Sequence, residues 1–484
     1  MNLKNAYEIR NAVAAGKISA REMAQAALKR IEAVDGQVQA FLTVDPDRVL
    51  ARAAEVDQAV AQGEPDLRLA GVPIAIKDNI CTKGLRTTCG SRILENYIPP
   101  YSATAVERLE AAGAVVVGKA NCDEFAMGSS TEHSAFKITK NPYDLERVAG
   151  GSSGGSAVAV AAGMTPLALG SETGGSVRQP ASFCNVLGLK PTYGRISRYG
   201  LVAFASSLDA ISLFANNMRD MALLLSVLAG RDERDSTSAP VAVPDYVAGL
   251  SHPVRGMRLG IPKEYYGAGL DPQVRGLIEG AAQNLVSLGC ELVEVSLPHT
   301  EYAVADYYII APAEASSNLA RYDAVRYGYR MPDPEDLAEM YTRSRSIGFG
   351  PEVKRRIMIG TYALSSGYYE AYYGRAMRVR TLIKRDYDHA FQKVAALLTP
   401  VSPTPAFRIG EKSEDPLSMY LTDIYTVTAN LAGIPGLSLP CGFTRENLPV
   451  GLQILGNQFH ESDILRLAQA YMQAFPVASP PQKV

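Results

Sequence analysis

Short apolar segments alternate with helical segments along most of this chain, and this alternation limits the folds that it can adopt. Segments 72–76 and 114–117 consist mainly of β-branched or small apolar residues, and segment 103–112 between them has a helical pattern. Segments 258–261, 273–288 and 291–295 repeat the order strand, helix, strand. Strands that are apolar on both faces are typical of sheets covered by helices on both sides. The sequence therefore predicts an α/β fold with a central mixed sheet.

The two ends of the chain differ in pattern, yet we expect them to form one large domain. Residues 1–65 have a helical pattern, in which Ser19 and Glu22 form a capping-box signature. Strand-like segments return near the C-terminus, at 395–398, 437–439 and 450–455. Because strands come from both ends, we predict an N-terminal helical segment, residues 1–65, packed on a larger unit, residues 66–484.

Charge and cysteine placement exclude several classes of function. The 48 basic and 50 acidic side chains give a net charge of −2, so there is no global basic field to attract nucleic acid or an anionic membrane. No apolar run is long enough to span a bilayer, and residues 1–10 lack the apolar core of a signal peptide. The six cysteines are scattered, which argues against a disulfide framework and a structural zinc site. We expect a cytoplasmic protein with reduced cysteines, no membrane contact and no metal.

Two segments rich in glycine and serine mark the candidate functional site. The first runs from Gly150 to Ser156 and leads directly into helix-forming residues, and the second runs from Gly170 to Pro180 after a strand-like segment. Small residues allow unusual backbone angles and let a ligand approach the main chain closely. Three interpretations follow: a flexible linker, a phosphate-binding loop, or the nucleophile of an acyl-transfer enzyme.

The patterns favour acyl transfer over the other two interpretations. The first segment opens a helix instead of joining domains, and neither GxxxxGK[ST] nor GxGxxG is present. Gly150-x-Ser152-x-Gly154 satisfies the GxSxG pattern of hydrolases that use a Ser-His-Asp triad. The chain has five histidines, some of which could complete such a triad: His133, His252, His299, His389 and His460. A Ser-His-Asp esterase therefore remains an alternative function, although it leaves the second segment without a role.

A mechanism with a lysine as the base would give both glycine and serine segments a role. Lys77 stands at the end of the predicted strand, where desolvation would lower its pKa and provide a neutral amine. The Thr-Gly-Gly-Ser turn at 173–176 offers consecutive backbone N–H groups for the oxyanion formed in amide hydrolysis. Exposure to solvent is nevertheless the ordinary outcome for a lysine at a strand end. The residues alone therefore leave Lys77 either a solvated residue or a base.

Lys77 and the two segments together resemble the amidase signature family. That family has a lysine, then Gly-Gly-Ser-Ser-Gly-Gly, then Gly-Ser-Asp-x-Gly-Gly-Ser, in the order and spacing found here. The resemblance implies that Ser176 is the nucleophile, that Ser152 relays the proton beside a cis peptide bond, and that Lys77 is the general base and acid. It also implies an oxyanion hole formed by the backbone N–H groups of Thr173, Gly174, Gly175 and Ser176.

Further segments resemble the A subunits of the glutamyl-tRNA(Gln)/aspartyl-tRNA(Asn) amidotransferases, namely 121–132, 349–356 and 420–435. This resemblance covers roughly residues 5–475 and implies that free glutamine is the substrate. It implies that Arg356 binds the α-carboxylate of glutamine and that Asp423 binds its α-ammonium group. The other residues that it places in the substrate pocket are Met127, Gly128, Ser129 and Tyr307.

The same resemblance implies partners. The chain would form a heterotrimer with B and C subunits and pass ammonia through a protein channel to a partner. That partner would use ATP and Mg²⁺ to amidate misacylated tRNA, which binds mainly to the B subunit, so this chain itself would hold no cofactor. A free-standing amidase of the same family is the alternative.

For several residues we expect the environment that is usual for their type and sequence context. Glu172 stands where the family usually has Asp, and its longer side chain could shift the loop by a methylene. Arg356 lies in a Lys-Arg-Arg run, which is usually a solvated helix surface. The helical segment 300–390 contains tyrosines that we predict to pack between helices: Tyr307, Tyr308, Tyr368, Tyr369, Tyr372 and Tyr373.

Overall fold

The computed structural model describes residues 5–478 and 480–484, which form 13 strands and 16 α-helices. The strands are β1 (Phe41–Thr43), β2 (Pro73–Lys77), β3 (Val115–Ala120), β4 (Lys140–Asn141), β5 (Asp144–Val148), β6 (Leu167–Glu172), β7 (Leu187–Lys190), β8 (Ala210–Ala215), β9 (Arg258–Pro262), β10 (Glu291–Val295), β11 (Ala396–Pro400), β12 (Gly436–Phe443) and β13 (Pro449–Gly456). The helices are α1 (Ala6–Ala14), α2 (Ala20–Val38), α3 (Pro46–Ala61), α4 (Thr104–Ala111), α5 (Gly154–Ala161), α6 (Arg178–Cys184), α7 (Met218–Leu228), α8 (Tyr246–Gly249), α9 (Pro272–Ser287), α10 (Ala303–Asn318), α11 (Leu337–Gly348), α12 (Pro351–Leu364), α13 (Tyr373–Phe391), α14 (Pro416–Tyr420), α15 (Val427–Ala432) and α16 (Glu461–Ala474).

A mixed sheet of 11 strands forms the centre of the described structure. Its order is β1-β3-β2-β6-β8-β7-β12-β13-β11-β9-β10, and β4 pairs with β5 in a separate sheet. β2 is parallel to β3 and β6, and β9 is parallel to β10 and β11, whereas the strands between β6 and β11 pair antiparallel. The prediction of an α/β fold with a central mixed sheet flanked by helices is confirmed.

The N-terminal helices pack on the same core as the sheet. Ile9, Met23 and Val49, from α1, α2 and α3, belong to the continuous buried cluster that also contains the sheet residues. Ser19 caps α2 as predicted: its hydroxyl accepts a hydrogen bond from the Glu22 N–H at 3.0 Å, and the Glu22 carboxylate accepts one from the Ser19 N–H at 2.8 Å. The division of the chain at residue 65 stays a prediction.

The tyrosines of the helical region are not all packed between helices. Tyr307 is buried and Tyr308 and Tyr373 are half-buried, but Tyr368, Tyr369 and Tyr372 are 42%, 44% and 38% exposed. For those three residues the prediction of packing between helices is wrong. They lie in the turn between α12 and α13, which runs over the surface because its backbone polar groups require water.

The described residues also bear on the other expectations from composition. All six cysteines are free thiols. Within residues 5–478 and 480–484, no helix combines the length and apolar character needed to cross a bilayer. The same residues contain no group of three or more His, Cys, Asp or Glu side chains that could hold a metal ion.

Candidate active site

Lys77 ends β2 and lies in the interior of the sheet. β3 and β6 flank this strand on its two sides, and the lysine side chain is fully buried. Its Nζ donates a hydrogen bond to Ser152 Oγ at 2.7 Å and one to the Ser171 carbonyl at 3.3 Å. Burial lowers the pKa of Lys77 to about 8, although neighbouring thiol and carboxyl groups oppose the shift. The alternative of a solvated strand end is therefore wrong, and the amine can exchange a proton with Ser152 near neutral pH.

The first glycine and serine segment forms a tight loop that leads into α5. Gly150 has a φ of +79°, a value that suits glycine, and the Gly151–Ser152 peptide is cis. The Gln179 side-chain oxygen accepts a hydrogen bond from the Gly151 N–H at 2.9 Å. The Ser153 N–H donates to the Ser176 carbonyl at 3.1 Å. The two segments are thus bonded to each other, which argues against a flexible linker.

Ser176 lies in the turn between β6 and α6. It is 8% exposed, whereas Lys77 and Ser152 are fully buried, so of the three it is the most accessible to a ligand. In the described part of the chain, no hydrogen bond joins the side chains of Ser152 and Ser176. The backbone N–H groups of Gly174, Gly175 and Ser176 likewise donate to no described residue. Consecutive unpaired donors beside a serine can stabilise an oxyanion.

Glu172 holds the start of the helix that follows the nucleophile turn. One of its carboxylate oxygens accepts hydrogen bonds from the backbone N–H groups of Val177 and Arg178, both at 3.0 Å. The other oxygen accepts from Arg178 Nε at 2.8 Å and also from Arg178 Nη2. Both side chains are fully buried, so each charge is neutralised by the other. The glutamate thus bonds directly to the residue that follows Ser176.

A buried arginine lies on α12 close to this turn. Arg356 is 2% exposed, and its Nε donates a hydrogen bond to Glu352 Oε1 at 2.8 Å. Its guanidinium carbon lies 5.2 Å from the ring centroid of Tyr308 and 5.3 Å from that of Tyr420. Neither Nη atom forms a hydrogen bond with a described residue, so both can bind a carboxylate. The alternative of a solvated surface arginine is wrong, because the surrounding rings cover the side chain.

A buried carboxylate stands beside the same tyrosine. Asp423 is 6% exposed and accepts hydrogen bonds from Ser129 Oγ at 2.6 Å and from the Tyr308 hydroxyl at 3.4 Å. Burial raises the pKa of Asp423 to about 7, while the hydrogen bond from Ser129 and the positive charge of Arg356 oppose the shift. A cationic group bound here would favour the charged carboxylate and lower that pKa.

Tyr307 connects this charged pair to the nucleophile turn. It lies on α10, is 3% exposed, and its ring covers Gly174, where an added Cβ would be 2.6 Å from the tyrosine Cζ. The next residue, Tyr308, contacts both Arg356 and Asp423. The remaining predicted positions, Met127 and Gly128, precede Ser129 in one buried loop. The structure therefore brings the sequence-predicted residues to one region.

Three residues of this region had no predicted role in the site: Tyr308, Glu352 and Tyr420. The Tyr420 hydroxyl donates to Glu352 Oε1 at 2.8 Å, and the Tyr308 and Tyr420 rings stack with centroids 3.9 Å apart. The i,i+4 spacing of Glu352 and Arg356 on a helix could have predicted the ion pair between them. The two tyrosines are far apart in sequence, and no local pattern relates them.

The described residues form no Ser-His-Asp arrangement at Ser152. The hydroxyl of Ser152 accepts its hydrogen bond from Lys77. His299 pairs with Asp386 at 3.0 Å, and His460 pairs with Asp463 at 3.0 Å, away from this loop. The geometry therefore favours a lysine base over a histidine base.

Comparison with known proteins agrees with this geometry. Residues 22–465 match the family model described as Amidase. The chain is 60% identical over 458 residues to the A subunit of the glutamyl-tRNA(Gln) amidotransferase of Cyanothece sp., covering 95% of each chain. The crystal structure of the corresponding A subunit from Thermotoga maritima, also a glutamyl-tRNA(Gln) amidotransferase, has a TM-score of 0.81 at 46% identity and covers 96% of this chain and 95% of that one. A bacterial aryl acylamidase of the amidase signature enzymes family has a TM-score of 0.86 at 25% identity, covering 98% and 97%.

Proposed function

Because the chain belongs to the amidase family, we propose that it hydrolyses glutamine to glutamate and ammonia as the A subunit of a tRNA-dependent amidotransferase. The observation that carries this proposal is a buried pair of opposite charges at Tyr308: Arg356 lies over the ring, and Asp423 accepts a hydrogen bond from the hydroxyl. A free amino acid presents a carboxylate and an ammonium group at one end, which such a pair can bind. Tyr307 connects that pair to the turn of Ser176, where the carboxamide at the other end of glutamine would react.

In the proposed reaction, Ser176 Oγ attacks the side-chain carbonyl carbon of glutamine. Its proton passes to Ser152, whose own proton moves to the neutral Nζ of Lys77. The 2.7 Å hydrogen bond between Lys77 and Ser152 supports this route. The hydroxyls of Ser152 and Ser176 have to approach each other when substrate binds, since catalytic hydrogen bonds are often long without substrate.

The tetrahedral intermediate then collapses. Its oxyanion is stabilised by the backbone N–H groups of Thr173, Gly174, Gly175 and Ser176. The carbon–nitrogen bond breaks, and the nitrogen takes a proton from Lys77 through Ser152 and leaves as ammonia. Water attacks the glutamyl ester on Ser176, and its proton passes through Ser152 to Lys77. When the ester bond breaks, that proton returns through Ser152 to Ser176 Oγ, and glutamate is released.

We assign the remaining steps to partners. B and C subunits would complete a heterotrimer. Glu-tRNA(Gln), Asp-tRNA(Asn) or both would bind mainly to the B subunit, and a partner subunit would use ATP and Mg²⁺ for the amidation. Ammonia would reach that partner through the protein, and this chain would need no cofactor. The net charge of −2 supports tRNA binding elsewhere, because binding to phosphate backbones depends on basic surfaces. Free thiols suit the cytoplasm, where we place the complex.

The test is ammonia release from glutamine by the chain co-expressed with B and C subunits, in the presence of ATP and misacylated tRNA. We expect glutamine turnover that Ser176→Ala abolishes. Ser156→Ala is the matched control, because Ser156 is buried like Ser176 and its hydroxyl donates a hydrogen bond to the Leu169 carbonyl at 2.9 Å, away from the proposed chemistry. A complex that amidates tRNA with added ammonium chloride but never with glutamine would refute the proposal.

The similarity to a bacterial aryl acylamidase supports one alternative function that uses the same amide chemistry. A free-standing amidase would hydrolyse varied amides as an isolated chain, and added partner subunits would not change its rate. Ammonia release from glutamine and from butyramide, together with aniline release from acetanilide, separates the two functions.

A further inference from the structure

Two buried side chains outside the glycine and serine segments bond to the turn that forms the proposed oxyanion hole. They are Asp209, which directly precedes β8, and Thr426, which directly precedes α15. Asp209 is 3% exposed and Thr426 is fully buried. Neither side chain takes part in the reaction steps proposed above, so their contacts with the turn call for a separate explanation.

Asp209 holds the first residue of the turn. β6 and β8 are antiparallel with Glu172 opposite Ala210, so Thr173 and Asp209 lie opposite each other just past the ends of the two strands. The Thr173 hydroxyl donates a hydrogen bond to Asp209 Oδ1 at 2.6 Å. Because a threonine side chain is branched at Cβ and has a stiff χ1 angle, a bond to its hydroxyl also restricts its backbone.

The Asp209 carboxylate is itself fixed in place. Oδ1 also accepts a hydrogen bond from the Ala205 N–H at 3.1 Å, and Oδ2 accepts one from the Phe204 N–H at 2.9 Å. Burial raises the pKa of Asp209 to about 6, while these hydrogen bonds oppose the shift, so the carboxylate is mostly charged at neutral pH. A charged acceptor binds the Thr173 hydroxyl more strongly than a neutral one would.

Thr426 orients the next peptide of the turn. Its hydroxyl donates a hydrogen bond to the Gly174 carbonyl at 2.7 Å and lies 3.0 Å from the Asp423 carbonyl. In a planar trans peptide the C=O and N–H groups point in opposite directions, so a fixed Gly174 carbonyl directs the Gly175 N–H away from Thr426. That N–H donates to no described residue, as a donor of an oxyanion hole requires.

We propose that Asp209 and Thr426 are positioning residues for the oxyanion hole: Asp209 fixes Thr173, and Thr426 fixes the peptide between Gly174 and Gly175. The proposal rests on the function proposed above, because it assigns the turn to the same reaction. Donors that are held in place in advance need no reorganisation when charge develops on the carbonyl oxygen. Segment 423–426 then serves both ends of the substrate, since it carries Asp423 as well as Thr426.

A purely structural role for these hydrogen bonds predicts a different result. Buried polar groups are usually paired, and the loss of one partner lowers the free energy of unfolding. A group that only stabilises the fold leaves the kcat and the KM of the folded protein unchanged. A group that orients oxyanion donors affects kcat and leaves KM almost constant, because the oxyanion forms only after the substrate has bound.

The first test replaces Thr426 in the chain co-expressed with B and C subunits, with ammonia release from glutamine as the assay. Thr426→Val keeps the shape of the side chain and removes the hydroxyl, so we expect kcat to fall about 10- to 100-fold and KM to change less than about threefold. Thr426→Ser keeps the hydroxyl and should keep most of the kcat. Thr139→Val is the matched control that should keep its kcat, because Thr139 is also fully buried and its hydroxyl donates to the Gln39 carbonyl at 2.9 Å.

The second test is Asp209→Asn, which keeps the size of the side chain and removes its charge. We expect a similar fall in kcat at nearly constant KM, together with a change in the pH profile. Burial lowers the pKa of Lys77 to about 8, and the groups that oppose this shift are Cys122, Asp123, Asp209 and Cys89. Removal of the Asp209 charge should therefore move the midpoint of the kcat profile to lower pH.

Two further variants separate the hydrogen bond from the charge. Thr173→Val removes the same hydrogen bond from the other side, so it should lower kcat without moving the pH midpoint. Asp220→Asn is the control for a buried carboxylate, because Asp220 is fully buried and accepts hydrogen bonds from the Ala6 N–H at 2.7 Å and the Tyr7 N–H at 2.9 Å. This control should keep both the kcat and the midpoint.

The outcomes that overturn the proposal are distinct from those that overturn the proposed function. An unchanged kcat in Thr426→Val or Asp209→Asn overturns the proposal, as does a KM that rises by the same factor as kcat falls. An equal loss in Thr426→Ser and Thr426→Val also overturns it, because the hydroxyl then has no effect. Thermal unfolding identifies any variant that does not fold, and Thr426→Ala or Thr173→Val then supplies the measurement. If the unmodified complex hydrolyses butyramide but never glutamine, the proposed function fails, and the same variants test the two residues on butyramide.

Discussion

The lowered pKa of Lys77 makes the pH dependence of glutamine hydrolysis the sharpest test of the proposed mechanism. Burial lowers the pKa of this lysine from 10.5 to about 8. At pH 7 about one tenth of the side chain would be neutral, against about 0.03% for a pKa of 10.5, a gain of roughly 300-fold. The base acts only as the neutral amine. We therefore expect kcat to rise nearly tenfold per pH unit below pH 8 and to level off above it.

The matching perturbation is Lys77→Met, which keeps the length of the side chain and removes the amine. We expect kcat to fall by about four orders of magnitude, as for members of a catalytic unit. Lys119→Met is the control, because Lys119 is also fully buried and its Nζ bonds instead to the Thr87 hydroxyl at 2.8 Å. This control should lose stability without losing the pH midpoint near 8.

The assay is steady-state ammonia release by the assembled complex between pH 6 and 9.5, at saturating glutamine. Thermal unfolding of both variants separates lost stability from lost chemistry. A kcat that is independent of pH over this range would refute the assignment of Lys77 as the base. Retention of more than a tenth of the kcat by Lys77→Met would refute it equally.

Three further substitutions test other parts of the site. Asp423→Asn should raise the KM for glutamine at least tenfold with a smaller change in kcat, because the ammonium group of glutamine requires a carboxylate. Burial raises the pKa of Asp423 to about 7, so in the unmodified chain the KM should fall as the pH rises from 6 to 8. A KM that does not change with pH contradicts this assignment. Glu172→Asp should lower kcat about 10- to 100-fold at nearly constant KM, since the shorter side chain cannot keep its bonds to both the helix start and Arg178. An unchanged kcat would show that the turn tolerates the loss of one methylene group. Gly174→Ala should destabilise the fold by about 1–3 kcal/mol and reduce kcat, because the new methyl group meets the Tyr307 ring; a wild-type unfolding temperature and rate would mean that the ring is free to move.

The fold class was predictable because strands and helices leave local signals. Apolar runs of strand length marked β2, β3 and β13 within a few residues of their observed bounds. The strand predicted at 72–76 extends to Lys77, and this one residue matters because it places the lysine inside the sheet. The order of the strands was not predictable, since β12 and β13 enter the middle of the sheet from the C-terminal part of the chain.

The environments of the charged residues were predictable only through family resemblance. Lys77 is buried because β3 and β6 pack against both edges of its strand, and nothing near it in sequence indicates this. Arg356 is buried because Tyr308 and Tyr420, which come from α10 and α14, cover its guanidinium group. The exposed Tyr372 shows the opposite error, in which an apolar residue was expected inside. Burial depends on long-range packing, whereas sequence patterns report local structure.

The order of the strands also has a consequence for the synthesis of the protein on the ribosome. β7 and β11 are joined only through β12 and β13, so the sheet stays in two pieces, each with an open edge, until the residues after 435 emerge. Unpaired strand edges invite association with other chains, and a nascent chain of this kind is a natural client for chaperones. Lys77, Ser152 and Ser176 are made early, but Asp423 arrives shortly before the closing strands. The growing chain therefore completes the proposed glutamine pocket at nearly the moment when the central sheet can close.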